Sequence, residues 1–217
     1  MQTLAFVTQK GGSGKSTIAS SVAVAAHQTN EKVCVIDMDP QGSLTNWARI
    51  RAAGDIEVLA SGAARLPDLL AALERRGVTL ALLDSPGAEG AASSAAMRVA
   101  DLNIVPSRPS LFDLWASARA RAALEEIGAK FVFVLNQCPP AQTARVQDGV
   151  EALEEMGRLI SPLILARIEY QDAARRGRGV TELNPSGGAA QEMRGLWQSI
   201  TARLGEAKVG RPPRKAA

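Results

Sequence analysis

Cysteine and histidine are almost missing from this chain of 217 residues, which has two cysteines, Cys34 and Cys138, and one histidine, His27. The cysteine spacing fits no metal motif and supports no disulfide framework. Both read as small apolar residues in or beside strands, in a protein of a reducing cytoplasm. His27 falls on the exposed side of the first predicted helix and is assigned no catalytic role. Long apolar runs are missing too: none approaches the roughly 18 residues of a membrane span. Met1-Gln2 offers no basic start for a secretory signal. No internal repeat is visible.

What is there is globular: 46% apolar and 22% charged residues, enough chain for one α/β domain with a sizeable core. We expect that domain to span residues 1–206. Residues 207–217 read as a basic, proline-containing tail, expected to be disordered. Lys208, Arg211, Arg214 and Lys215 carry the net charge of +3, since without them 21 basic residues face 22 acidic ones. Any basic surface on the body must therefore come from local clustering.

Short apolar runs alternate with helical patterns, which predicts a doubly wound, mostly parallel sheet flanked by helices. Strands are expected at residues 4–8, 32–37, 56–59, 80–84, 102–106, 131–136 and 163–167. Helices are expected at 15–29, 43–53, 66–76, 91–100, 111–127, 144–156, 171–176 and 189–204. Ligands of such a sheet sit beyond the carboxyl ends of its strands.

One of those ends reads Gln9-Lys10-Gly11-Gly12-Ser13-Gly14-Lys15-Ser16-Thr17, between a strand and a helix. Backbone N–H groups of Gly11, Gly12, Ser13 and Gly14 can close around phosphate oxygens, and the helix N-terminus adds positive charge. Lys15 brings a point charge to the terminal phosphates, the Ser16 hydroxyl can ligate Mg²⁺, and Thr17 can reach the α-phosphate. Gln9 stands where the common P-loop has its first glycine, and a second lysine, Lys10, follows it.

This loop resembles the deviant Walker A loop of the ParA/MinD family of dimerising P-loop ATPases. The resemblance implies ATP and Mg²⁺ as cofactors, an ATP-bound homodimer, and Lys10 reaching the partner's nucleotide. Asp37-Met38-Asp39-Pro40-Gln41-Gly42 is similar to the family's acidic motif. There the second acid, Asp39, positions or deprotonates the attacking water, and Asp37 supports the phosphate loop and metal shell. Asp84-Ser85-Pro86-Gly87 ends an apolar strand as a Walker B segment does, with Asp84 on Mg²⁺. Asn136 matches an asparagine that contacts the base, and also fits a residue capping its own turn. Pro106-Ser107-Arg108-Pro109-Ser110 resembles a segment near the family's dimer interface, with Ser110 equally the N-cap of the next helix. Ser43-Leu44-Thr45-Asn46-Trp47 is similar to the small plasmid-type, ParF-like members, and with no room for a helical region before the first strand the chain looks like that small form.

The implied function is plasmid or chromosome partition: an ATP dimer on nonspecific DNA, released when a ParB-like centromere-binding protein stimulates hydrolysis. Arg167, Arg175, Arg176 and Arg178 on the body, and Arg211, Arg214 and Lys215 in the tail, are the candidate DNA contacts. The expected location is cytoplasmic and nucleoid-associated. Met193, Leu196, Trp197, Ile200 and Leu204 form one apolar face, read as docking on the body. A membrane-targeting helix is disfavoured because it would lie at the extreme end and be basic beside that face, whereas here a proline-rich tail follows. Positioning another cargo, or ligation like that of dethiobiotin synthetase on the same scaffold, are the alternatives. An electron donor like the nitrogenase iron protein is disfavoured by Cys34, which lies mid-strand and cannot project toward a cluster.

Overall fold

The structure is a computed structural model that describes residues 1–141 and 143–209, the last three by their backbone alone. Six parallel strands form one sheet: β1 (Gln2–Phe6), β2 (Val33–Asp37), β3 (Glu57–Ala60), β4 (Leu80–Asp84), β5 (Leu102–Ser107) and β6 (Phe131–Leu135). Their spatial order is β3-β2-β4-β1-β5-β6. Parallel neighbours require crossovers, and the helices that make them cover both faces. They are α1 (Lys15–His27), α2 (Ser43–Ile50), α3 (Leu66–Arg75), α4 (Ala91–Val99), α5 (Leu111–Glu126), α6 (Ala144–Met156), α7 (Ile168–Arg175), α8 (Val180–Leu183) and α9 (Gly188–Val209).

Side chains alternate across the sheet, so Leu4 and Phe6 enter one core and Ala5 and Val7 the other. The first core lies under α1, α2, α7, α8 and α9; the second under α3 to α6. In α1, Ala19, Ala23 and Ala26 are wholly buried, small enough to let the helix lie close on the sheet. On α9, Met193, Leu196, Trp197, Ile200 and Leu204 are all buried, as the docking face requires. Each such side chain contributes roughly 1.5–3 kcal/mol by leaving water.

Register sets the site. Asp37 and Asp84 are paired neighbours at the carboxyl ends of β2 and β4, and Phe6 pairs with Asp84 on the other side. Both acids and the start of the glycine loop therefore share one edge of the sheet.

The seventh strand expected at residues 163–167 does not form. The chain there makes only isolated bridges: Leu159, ahead of the segment, to Phe133 of β6, and Leu165, within it, to Cys138 beyond the end of β6. Pro162, which has no N–H to donate, sits between them. The helix α8 is additional to those expected, and α7 begins at Ile168, three residues earlier than its pattern implies. The backbone of α9 continues to Val209, into the segment expected as tail. Arg211, Arg214 and Lys215 lie outside the described residues. Among the described residues no helix is long and apolar enough to cross a membrane.

Candidate functional site

The loop between β1 and α1 is shaped by glycines that no other residue could replace without strain. Gly12 and Gly14 have left-handed φ of 79° and 91°. A Cβ on Gly14 would also lie 2.3 Å from the Asn136 amide nitrogen. That nitrogen donates to the Ser13 carbonyl at 2.7 Å, and Gln137 Nε2 donates to the Gly12 carbonyl at 3.1 Å. The end of β6 thus braces the loop. Asn136, matched to a base contact by resemblance, is buried with its amide committed to Ser13.

The first intrahelical bond of α1 runs from Ile18 N–H to the Gly14 carbonyl at 2.9 Å, and no side chain caps this end. The preceding N–H groups have no acceptor within the helix, so this end can receive an anion. They face a cavity of about 670 Å³ whose walls include Gly11, Lys15, Ser16, Thr17, Asp39 and Gly87. Across it, a Cβ on Gly87 would lie 3.2 Å from Gly11 Cα and 3.4 Å from Lys15 Nζ. Loop and post-β4 turn approach closely only because both are glycine.

Asp84 is 1% exposed; Oδ2 accepts the Ser16 hydroxyl at 2.6 Å and Oδ1 has no partner among the described residues. Burial pushes its carboxyl up to about 7, against the pull of the Ser16 hydrogen bond and Lys15, with Asp37 and Asp39 adding to the rise. An orphaned carboxylate oxygen beside a hydroxyl suits a hard divalent cation, and Mg²⁺ fits Ser16 and Asp84 here. Lys15 is 7% exposed; burial lowers its pKa, offset in part by Asp84 and Asp39.

The two acids of the second motif part company. Asp39 is half-buried and lines the cavity, with Oδ1 accepting the Gln41 N–H at 3.0 Å. Asp37, expected beside the loop and metal, is turned to α2 instead. Its Oδ2 accepts both the N–H and the hydroxyl of Thr45, at 2.8 and 3.0 Å, and Oδ1 takes the Asp39 N–H at 3.3 Å. Uncapped α2 residues offer donors nearer than the phosphate loop does, so Asp37 shapes the turn that carries Asp39.

Lys10 does not line this cavity. Its Nζ donates to Asp113 Oδ2 at 2.8 Å, in the first turn of α5. Asp113 Oδ1 takes Arg108 Nε at 3.0 Å, and the Ser110 hydroxyl donates to the same carboxylate. Burial would raise the pKa of Asp113, but the hydrogen bonds from Arg108, Lys10 and Ser110 outweigh it and hold the carboxyl below its ordinary range. Ser110 is also the N-cap, accepting from the Asp113 N–H.

Among the other expected contacts, Arg175, Arg176 and Arg178 are exposed at the end of α7, and Arg175 reaches the cavity wall. Arg167 is set apart from them, its Nε held by Glu192 at 2.7 Å. Sequence reasoning missed Arg51, which is 8% exposed and forms forked bonds to Asp55 and Glu182 while stacking on Trp47. It ties α2, and with it the cavity wall, to the arginine-bearing turn between α7 and α8. The only local signal was Asp55 four residues on; Glu182 is 131 residues away.

A glycine loop with a buried lysine, an orphaned acid and an uncapped helix end defines a P-loop nucleotide site at the edge of a parallel sheet. Comparison with known proteins gives the family: residues 4–180 match the CobQ/CobB/MinD/ParA nucleotide-binding domain, and the chain belongs to that family. It is a ParA/MinD-type ATPase. It is 28% identical over 200 residues to maintenance of carboxysome distribution protein A of Halothiobacillus neapolitanus, covering 88% of this chain and 91% of that one. It is 24% identical over 241 residues to the chromosome-partitioning ATPase Soj of Thermus thermophilus, covering 94% and 97%. Its fold matches an ATP complex of an aspartate-to-alanine variant of McdA from Cyanothece, with a TM-score of 0.74 at 20% identity, over 94% and 96% of the two chains.

Proposed function

We propose that this ATPase runs a dimerisation cycle that distributes a cargo over DNA. ATP binds in the cavity between Lys15, Ser16, Thr17 and Asp84. Lys10, from the outer side of the same loop, reaches the nucleotide of a second copy. The ATP dimer binds DNA through phosphate contacts from Arg175, Arg176 and Arg178, with the tail residues Arg211, Arg214 and Lys215 adding to it. Asp39 orients or deprotonates the attacking water, and a cargo-bound partner accelerates that step.

The observation that carries this reading is the separation of the two lysines of one loop. Lys15 lines the cavity, while Lys10 is held outside it on Asp113. A lysine serving its own nucleotide would have no reason to stand there. The first cargo we assign is a plasmid or chromosome locus bearing a ParB-like DNA-binding protein, supported by the likeness to Soj. The likeness to a carboxysome distribution protein supports a second reading, with a protein assembly as cargo and the same cycle. A ligase on this scaffold would need no DNA.

The test is DNA binding with ADP compared with a non-hydrolysable ATP analogue. Retention of nonspecific DNA is expected with the analogue alone and to fall steeply with salt. Replacing Arg175, Arg176 and Arg178 together by alanine should flatten that salt slope, by about 0.9 for each phosphate the protein no longer neutralises. Equal DNA binding with ADP and the analogue would remove nucleotide control from the cycle.

A further inference from the structure

Asp113 holds more positive charge than it needs. It is 3% exposed, yet one carboxylate in the first turn of α5 carries two cations, Lys10 on Oδ2 and Arg108 on Oδ1. Capping does not require them. The Ser110 side chain already accepts from the Asp113 N–H, and the helix N-terminus itself favours the acid. One negative charge balances one cation, so an excess of about one positive charge is left beside the glycine loop.

The second cation is placed to use it. Arg108 Nη1 lies 3.9 Å from where a Cβ on Gly12 would be, so the guanidinium overhangs the loop. Its Nε is spent on Asp113, which fixes the plane of the group and leaves the Nη donors of the fork for a phosphate. Like Lys10, Arg108 is no part of the wall of the cavity that holds Lys15. Both side chains are about one-third exposed. The surface around them suits a protein partner. Leu111, Phe112 and Trp115 are 58%, 65% and 55% exposed, Phe112 and Trp115 meet edge to face at 5.5 Å, and Lys10 Nζ lies 5.9 Å from the Phe112 ring. Aromatic residues and arginine are what protein interfaces concentrate.

We propose that Arg108 is a second phosphate-contacting residue of this ATPase, delivered with Lys10 to the triphosphate of a neighbouring copy, and that Asp113 is the positioning residue that carries the two as a pair. This rests on the reading of Lys10 given above. Leu111, Phe112 and Trp115 are covered by that same copy. A guanidinium aimed at a transferring phosphoryl group stabilises the charge that develops there, so Arg108 serves hydrolysis as well as pairing.

The test uses the full chain with Mg²⁺ and either ATP or a non-hydrolysable analogue. Arg108→Gln should bind the analogue as a monomer within about twofold of wild type, because Arg108 does not line the cavity. It should need about tenfold more protein, or more, to dimerise, which is the effect of losing a charge-assisted hydrogen bond. Asp113→Asn should shift the dimer midpoint in the same direction, and adding it to Arg108→Gln should cost less than the two effects combined. A purely structural Asp113 would give additive losses. Arg108→Lys, which keeps the charge but not the fork, guards against misfolding and should fall between.

Mixing supplies the direction of delivery. Arg108→Gln combined with Asp39→Ala, at a concentration where the latter is fully dimeric, should release phosphate faster than either alone, since the glutamine protomer keeps Asp39 and receives an arginine from its partner. No recovery on mixing, together with weakened binding to the monomer, would mean that Arg108 acts on its own nucleotide and would overturn the proposal. So would an Arg108→Gln protein that dimerises and hydrolyses like wild type while Lys10→Ala stays monomeric, and that outcome leaves the Lys10 reading intact. Normal dimerisation of Lys10→Ala would sink the Lys10 reading itself, and the delivery proposed for Arg108 with it.

Discussion

Lys15→Ala is expected to weaken Mg·ATP binding by about a hundredfold or more, with the fold retained. Lys15 is buried at the mouth of α1, and its ammonium makes no hydrogen bond to protein among the described residues. The charges of Asp84 and Asp39 partly restore the pKa that burial lowers. Those same acids would repel a polyphosphate once the ammonium is gone. The loss therefore combines charge-assisted hydrogen bonds, worth about 1.5–3 kcal/mol for one such contact, with new repulsion between acids and phosphate. Truncation opens space at the cavity wall and removes an ammonium whose own burial is unfavourable. Asp84, whose pKa is already raised to about 7, can take up a proton when its cation is gone, so stability should change little. Titration calorimetry with ATP and a thermal melt of the same sample would check both halves. An affinity within tenfold of wild type would place the phosphates elsewhere.

Asp39→Ala should leave ATP binding and dimerisation in place and lower turnover by about 10²- to 10⁴-fold, the usual range for a lost general base. Its carboxylate lines the cavity at the turn after β2, held by one bond from the Gln41 N–H, which leaves its other oxygen for a water. Asp37 cannot take over, because Thr45 and the Asp39 N–H already occupy its carboxylate. The variant should accumulate as an ATP dimer on DNA and resist release by ADP. Phosphate release and light scattering on one preparation separate the outcomes; full turnover in Asp39→Ala would move the water elsewhere.

Most of this architecture was legible because parallel strands buried on both faces write themselves as short apolar runs. Their carboxyl ends are marked by the residues that break the run, Asp37, Asp84 and the loop after Phe6. What could not be read has physical reasons. Four residues, Val180–Leu183, are too few to display a helical period. The segment at 163–167 is apolar like a strand, yet it makes one isolated bridge, from Leu165 to Cys138 beyond the end of β6, with Pro162 just before it. Arg51 looks like a solvated charge on a short helix until the chain brings Glu182 to it. Asp113 was hidden most thoroughly, since an acid three residues after a serine is what an ordinary helix start looks like. Only the fold places Lys10 and Arg108 on its two oxygens.

The cycle depends on Lys10 leaving Asp113 for a nucleotide that belongs to another chain. Light scattering of wild type and Lys10→Ala, each with Mg²⁺ and a non-hydrolysable ATP analogue, tests this most directly. Wild type should be a dimer, and Lys10→Ala should be a monomer that still carries the analogue. A Lys10→Ala protein with the dimer mass at the same concentration would contradict it.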